Sequence, residues 1–83
     1  MSEQRETTVT AGPGGVMTDE VGAITGEVTV RTELADDGGV VQRVQYLDAA
    51  EWYVISDSAT SLGGQDLDAV HDQQVQKVRE GAR

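Results

Sequence analysis

From Glu27 the chain alternates: Val28, Val30, Thr32 and Leu34 fall on one side of an extended backbone, and Thr29, Arg31 and Glu33 on the other. Period two sustained over such a run is the pattern of a strand with one face buried. Ala35-Asp36-Asp37-Gly38-Gly39 then supplies turn residues, and Val40 to Leu47 resumes extended character. Together they predict a β-hairpin. With Asp37-Gly38-Gly39 as a three-residue loop and Gly39 in the left-handed position, Glu33 falls opposite Arg43, Val30 opposite Tyr46 and Thr32 opposite Val44, which satisfies charge and core together. A two-residue Asp37-Gly38 turn would instead put Thr32 opposite Arg43 and mix polar with apolar residues along each face.

Asp48-Ala49-Ala50-Glu51 can close a second tight turn into a third strand, Trp52 to Asp57, with Tyr53 facing Tyr46 and Ile55 facing Val44. The competing reading makes Asp48 an N-cap and Glu51 its capping-box partner in a short helix. Trp52-Tyr53-Val54-Ile55, aromatic and β-branched throughout, favours the strand. After a polar connection over residues 56–64, Leu67, Val70, Val75 and Val78 recur at helical spacing from Asp66 to Glu80. Asp66 and Asp68 open that segment, Lys77 and Arg79 close it and Gly81 follows, as the helix dipole and a C-terminal stop require. Residues 1–26 show no sustained period and contain the only proline, Pro13, within Ala-Gly-Pro-Gly-Gly. The expectation is an α+β domain over residues 27–83, a three-stranded antiparallel meander with one C-terminal helix packed on one face. A flexible N-terminal arm precedes it over residues 1–26, with room for an extra strand near residues 20–26.

Placing the run Trp52-Tyr53-Val54-Ile55 in this register divides it between two faces. Val28, Val30, Leu34, Val40, Val44, Tyr46, Tyr53 and Ile55 form the face that the helix covers. Val41, Leu47, Trp52 and Val54 point the other way, among Arg31, Glu33, Arg43 and Gln45. Burying a large apolar side chain stabilises by roughly 1.5–3 kcal/mol, so this second face is expected to find a cover: the arm, a second copy of the chain or another protein. The expected binding residues are Val41, Leu47, Trp52 and Val54, with Arg31 and Arg43 at the rim.

Composition narrows the partners. The chain has 83 residues, enough for one small domain, and no cysteine, so neither a disulfide framework nor a thiolate metal site reinforces it. Fifteen acidic against six basic residues give a net charge of -9, concentrated over residues 27–57, which carry seven acids and two bases. That charge disfavours phosphate backbones and anionic lipid, so neither direct nucleic-acid nor membrane binding is expected. The polar opening residues and the lack of a long apolar run make the cytoplasm the expected compartment. The same acidity supports a second function class, an inhibitor or DNA mimic that occupies a basic groove.

Candidate chemistry is sparse. Asp68, His71 and Asp72 can lie on adjacent parts of a helical turn and offer one nitrogen and two oxygens, but aspartates also serve a helix N-terminus, and no metal site is expected. Ser56, Ser58 or Ser61 with His71 and Asp57 or Asp72 would supply the residue types of a nucleophilic triad without the strained glycine pattern that presents a nucleophile. Leu62-Gly63-Gly64 before a helix lacks a phosphate-loop lysine, and Asp36-Asp37-Gly38-Gly39 lacks the spaced oxygens of a calcium loop. Tyr46, Trp52 and Tyr53 could stack bases, but the segment around them is acidic. A small enzyme using His71 is the third class. The leading expectation is a non-enzymatic, cofactor-free interaction module, homodimeric or bound to a protein partner through the Trp52 face.

Overall fold

A computed structural model describes residues 3–81; Met1 and Ser2 of the expected arm, and Ala82 and Arg83 of the expected domain, lie outside the described residues. The elements in chain order are β1 (Glu3–Thr10), β2 (Val16–Thr18), β3 (Gly22–Ile24), β4 (Glu27–Leu34), β5 (Gly39–Tyr46), β6 (Tyr53–Val54), β7 (Thr60–Ser61) and α1 (Leu67–Glu80). An antiparallel sheet runs β1-β4-β5-β6, with β7 also paired to β5, and β2 and β3 form a separate hairpin. The α+β class and the single C-terminal helix are as expected. The three-stranded meander is not: the sheet has five strands, because Glu3–Thr10 pairs with β4 along its whole length and Thr60–Ser61 pairs with the start of β5.

The departure has a local cause. In β1 the positions that share the core face are Arg5, Thr7 and Val9, of which only Val9 is apolar and buried. A strand whose inward residues meet polar partners shows little hydrophobic period. The β2–β3 hairpin also belongs to the body of the fold, since Val16 and Ile24 lie in the core and Thr18 bridges Ile55.

The β4–β5 hairpin has the expected loop type one residue earlier. Asp36-Asp37-Gly38 is the loop, with Gly38 at φ 87°, the Gly38 N–H donating to the Ala35 carbonyl at 3.0 Å and the Ala35 N–H to the Gly39 carbonyl at 2.8 Å. The Asp37 carboxylate accepts the Gly39 N–H at 2.8 Å, which favours this placement. The register therefore moves by two: Val30 pairs with Val44, Thr32 with Gln42, Glu33 with Val41 and Arg31 with Arg43. An even shift leaves every side chain on its expected face. β6 is shifted likewise, with Tyr53 opposite Val44 and Val54 opposite Arg43, and Ile55 donates its N–H to the Gln42 carbonyl.

The core lies between the sheet, α1 and the β2–β3 hairpin. Val9, Val16, Ile24, Val28, Val30, Val44, Ile55 and Val78 form one buried cluster, against which Ala11, Tyr53 and Val75 pack. Leu67, Val70 and Val40 are buried beyond it, with the polar residues Thr32, Gln42, His71 and Gln74 also inside. The helix follows its expected bounds: Asp66 caps it by accepting the Ala69 N–H at 2.8 Å, and the Gly81 N–H closes it onto the Lys77 carbonyl.

The connection from β1 to β2 is fastened to the end of that helix, where Gly12 donates its N–H to the Val78 carbonyl at 2.9 Å. A Cβ on Gly12 would lie 2.2 Å from the Arg79 carbonyl oxygen, a backbone atom that cannot swing aside. Gly12→Ala is therefore expected to cost about 1–3 kcal/mol, the usual penalty of forced overpacking, read as a lower urea midpoint with an unchanged slope. An unchanged midpoint would mean that this connection is not held against the helix.

Candidate functional site

The sheet face opposite α1 gathers all six expected binding residues. Arg31 of β4, Val41 and Arg43 of β5 and Val54 of β6 follow from strand alternation. Leu47 continues β5 by donating its N–H to the Glu27 carbonyl at 3.1 Å. Trp52 joins them because the Arg31 guanidinium stacks on its ring, 3.9 Å from the centroid. Val41, Trp52 and Val54 are half-buried and Leu47 is 43% exposed. The one helix among the described residues lies on the other side of the sheet.

Electrostatics organises this face. Arg31 and Arg43 stand directly opposite each other, an arrangement that is unfavourable on its own. Two acids resolve it: Glu6 of β1 pairs with Arg31 at 2.7 Å, and Glu33 pairs with Arg43 at 2.7 Å and with Arg31 at 3.6 Å. The result is an alternating row Glu6, Arg31, Glu33, Arg43 running across three strands, with Trp52 beneath one arginine. Glu6 was missed by sequence reasoning because its strand was. The signal available was the run Thr7-Thr8-Val9-Thr10, rich in β-branched residues. At the far edge the Glu20 carboxylate accepts the Val54 N–H at 2.9 Å, which occupies a donor of the short strand β6.

His71 is 4% exposed and both ring nitrogens are engaged, Nδ1 with Thr32 Oγ1 and Nε2 with Thr7 Oγ1, each at 2.8 Å. The Thr32 hydroxyl donates to Gln42 Oε1 at 3.2 Å, so its oxygen accepts from Nδ1–H, and Nε2 accepts from Thr7. Two hydroxyl partners with no carboxylate between them suit a neutral ring, and they join the helix to β1 and β4. Burial lowers its pKa; Asp72 and Asp68 oppose that shift and Arg5 adds to it. No serine is among its hydrogen-bond partners. Ser58 donates to the Ile55 carbonyl and Ser56 to Asp19, so neither of these serines is bonded to His71 as a nucleophilic triad would require. Among the described residues no three His, Asp or Glu side chains form a metal-ligating group, and no helix is long and apolar enough to cross a membrane.

Ser58 and Ser61 instead line a cleft of about 230 Å³ between the Asp57–Ser61 segment and the helix, with Gln42 and Gln74 at its floor. Asp57 enters it from a backbone with φ 58°, a left-handed conformation that aspartate tolerates better than most residues.

No protein-family model matches the chain, and neither a curated protein nor a solved structure matches it.

Two variants test these geometries. Glu33→Gln leaves the facing arginines with one acid fewer and is expected to destabilise by up to about 1 kcal/mol, an effect that shrinks as salt rises. A salt-independent loss in denaturant titrations would refute the electrostatic account. For His71 the folded pKa lies below the unfolded value of about 6.5, so the unfolded state binds the proton first. Its contribution is complete above pH 6.5 and declines as pH falls from there towards the lowered folded value. His71→Gln should therefore flatten the fall in stability through that window relative to the parent chain, and parallel curves would contradict a buried neutral ring.

Proposed function

We propose that this chain is a non-enzymatic interaction module that docks a protein surface, first of all a second copy of itself, through the sheet face centred on Trp52. The observation that carries the reading is the combination on that face of half-buried Val41, Trp52 and Val54 with an ordered row of alternating charge, on the side of the sheet away from the only described helix. An apolar centre with a charged surround is the composition of a protein interface, and a Trp stacked under Arg is a preformed anchor that loses little side-chain entropy on docking.

The row of both signs favours self-association over capture of a basic groove. In a two-fold contact each patch meets its own copy, so a surface needs acids and bases in reach of one another to be self-complementary. Glu6 and Glu33 on this face are already paired with arginines, which leaves the inhibitor or DNA-mimic reading less to work with there. The net charge of -9 also opposes nucleic-acid phosphate as the partner.

Sedimentation over a concentration series tests the reading. The parent chain is expected to show a monomer–dimer equilibrium, and Val41→Glu, which puts a charge at the apolar centre, is expected to shift it at least tenfold towards monomer while leaving the thermal midpoint of the isolated fold nearly unchanged. A parent chain that stays monomeric up to millimolar concentration would remove the homodimer, and association unaffected by Val41→Glu would remove this face as its seat.

A further inference from the structure

The side of the molecule away from Trp52 carries a second feature, a two-part groove along α1. Its first part is the polar cleft of about 230 Å³, where Gln42 and Gln74 are only 4% and 8% exposed. Gln42 uses its Oε1 on Thr32, and its amide NH2 has no hydrogen-bond partner among the described residues; the Gln74 amide has none at either end. No buried side-chain nitrogen or oxygen among the described residues is left without a partner, so these amide atoms reach the solvent of the cleft, where they are free to exchange water for a ligand's own donors and acceptors. The second part is a hollow of about 150 Å³ walled by Val16, Met17, Ile55 and Val78. Gln74 and Lys77 line both parts, and so stand between the polar cleft and the apolar hollow.

Lys77 is the single lysine of the chain and makes no ion pair among the described residues. An unpaired ammonium at the junction of an apolar hollow and an amide-lined cleft calls for a ligand with an anionic group flanked by an aliphatic group on one side and a peptide group on the other. A polypeptide's free C-terminus has that layout. We propose that this groove binds the carboxy-terminus of a partner polypeptide that ends in an aliphatic residue. The terminal carboxylate pairs with Lys77, the last side chain enters the hollow beside Met17, whose flexible thioether adapts to it, and the last peptide group bonds the Gln74 and Gln42 amides. Asp57 on the cleft wall, within a strongly acidic chain, favours a basic residue upstream in the bound tail.

The test uses the full chain labelled with nitrogen-15 and an acetylated tetrapeptide, Gly-Lys-Ser-Leu, with a free carboxylate, beside the same peptide amidated at its C-terminus. The expected result is saturable shifts of the Gln42 and Gln74 side-chain amides and of backbone amides around Val16 and Lys77. The amidated peptide should bind at least about tenfold more weakly, the usual consequence of losing one charge-assisted hydrogen bond. Lys77→Gln, at an exposed position that leaves the core untouched, should abolish the difference between the two peptides. The absence of saturable shifts at millimolar peptide would overturn the proposal, as would equal binding of the two forms or shifts centred on Trp52. The result is independent of self-association, because the Trp52 face lies on the other side of the sheet.

Discussion

One helix has to serve a sheet that presents two faces, and the architecture follows from that shortage. A helix with its side chains is roughly 10 Å across and neighbouring strands are about 4.8 Å apart, so one helix covers about two strands. Here α1 lies on β1 and β4. The underside of β5 and the segment after β6 would then be wet, and it is the small β2–β3 hairpin, through Val16 and Ile24, that completes the core against Val44 and Ile55. Nothing comparable is left among the described residues for the opposite face. That face is made tolerable in water by charge: two arginines and two glutamates in a row, with one arginine laid on the Trp52 ring. A face solvated in this way is ordinary for an antiparallel sheet; a tryptophan and two valines at its middle are what single it out as the docking surface we propose.

The helix is held in place by polarity as much as by apolar packing. Thr7, His71, Thr32 and Gln42 form a chain of hydrogen bonds that crosses from β1 through the helix into β4 and β5. Each link constrains the next, since the donor given by Thr32 to Gln42 determines which histidine nitrogen carries the proton. Sliding the helix by a turn would leave several buried polar groups unpaired at once, so these bonds specify position more sharply than the valines around them can. They also separate the main apolar cluster from Leu67, Val70 and Val40, and the polar cleft opens beside the amide of Gln42 at the end of the chain.

Much of this could be read from the residues, and the failures share one cause. The β4–β5 pair, its loop type, the helix with its Asp66 cap and Gly81 stop, and the division of Trp52 and Val54 from Tyr53 and Ile55 all rest on hydrophobic period and turn chemistry. β1 was hidden because Arg5 and Thr7 face Asp68 and His71, partners that only the folded chain supplies. The register was misplaced by two because pairing Glu33 with Arg43 directly looked better than facing Arg31 with Arg43. Diagonal ion pairs and a strand absent from that reasoning make the observed pairing acceptable. Thr32 and His71 were each visible as polar residues on apolar stripes, and matching them to each other would have indicated how helix and sheet meet.

The central claim is that the face bearing Trp52 is a contact surface, and distances measured across the contact test it most directly. In a sample mixing isotope-labelled with unlabelled chains, isotope-filtered nuclear Overhauser spectra should show contacts from the Trp52 ring of one copy to Val41 or Val54 of another. A sample that associates but gives its intermolecular contacts from α1 or β1, with none from Trp52, would contradict the account.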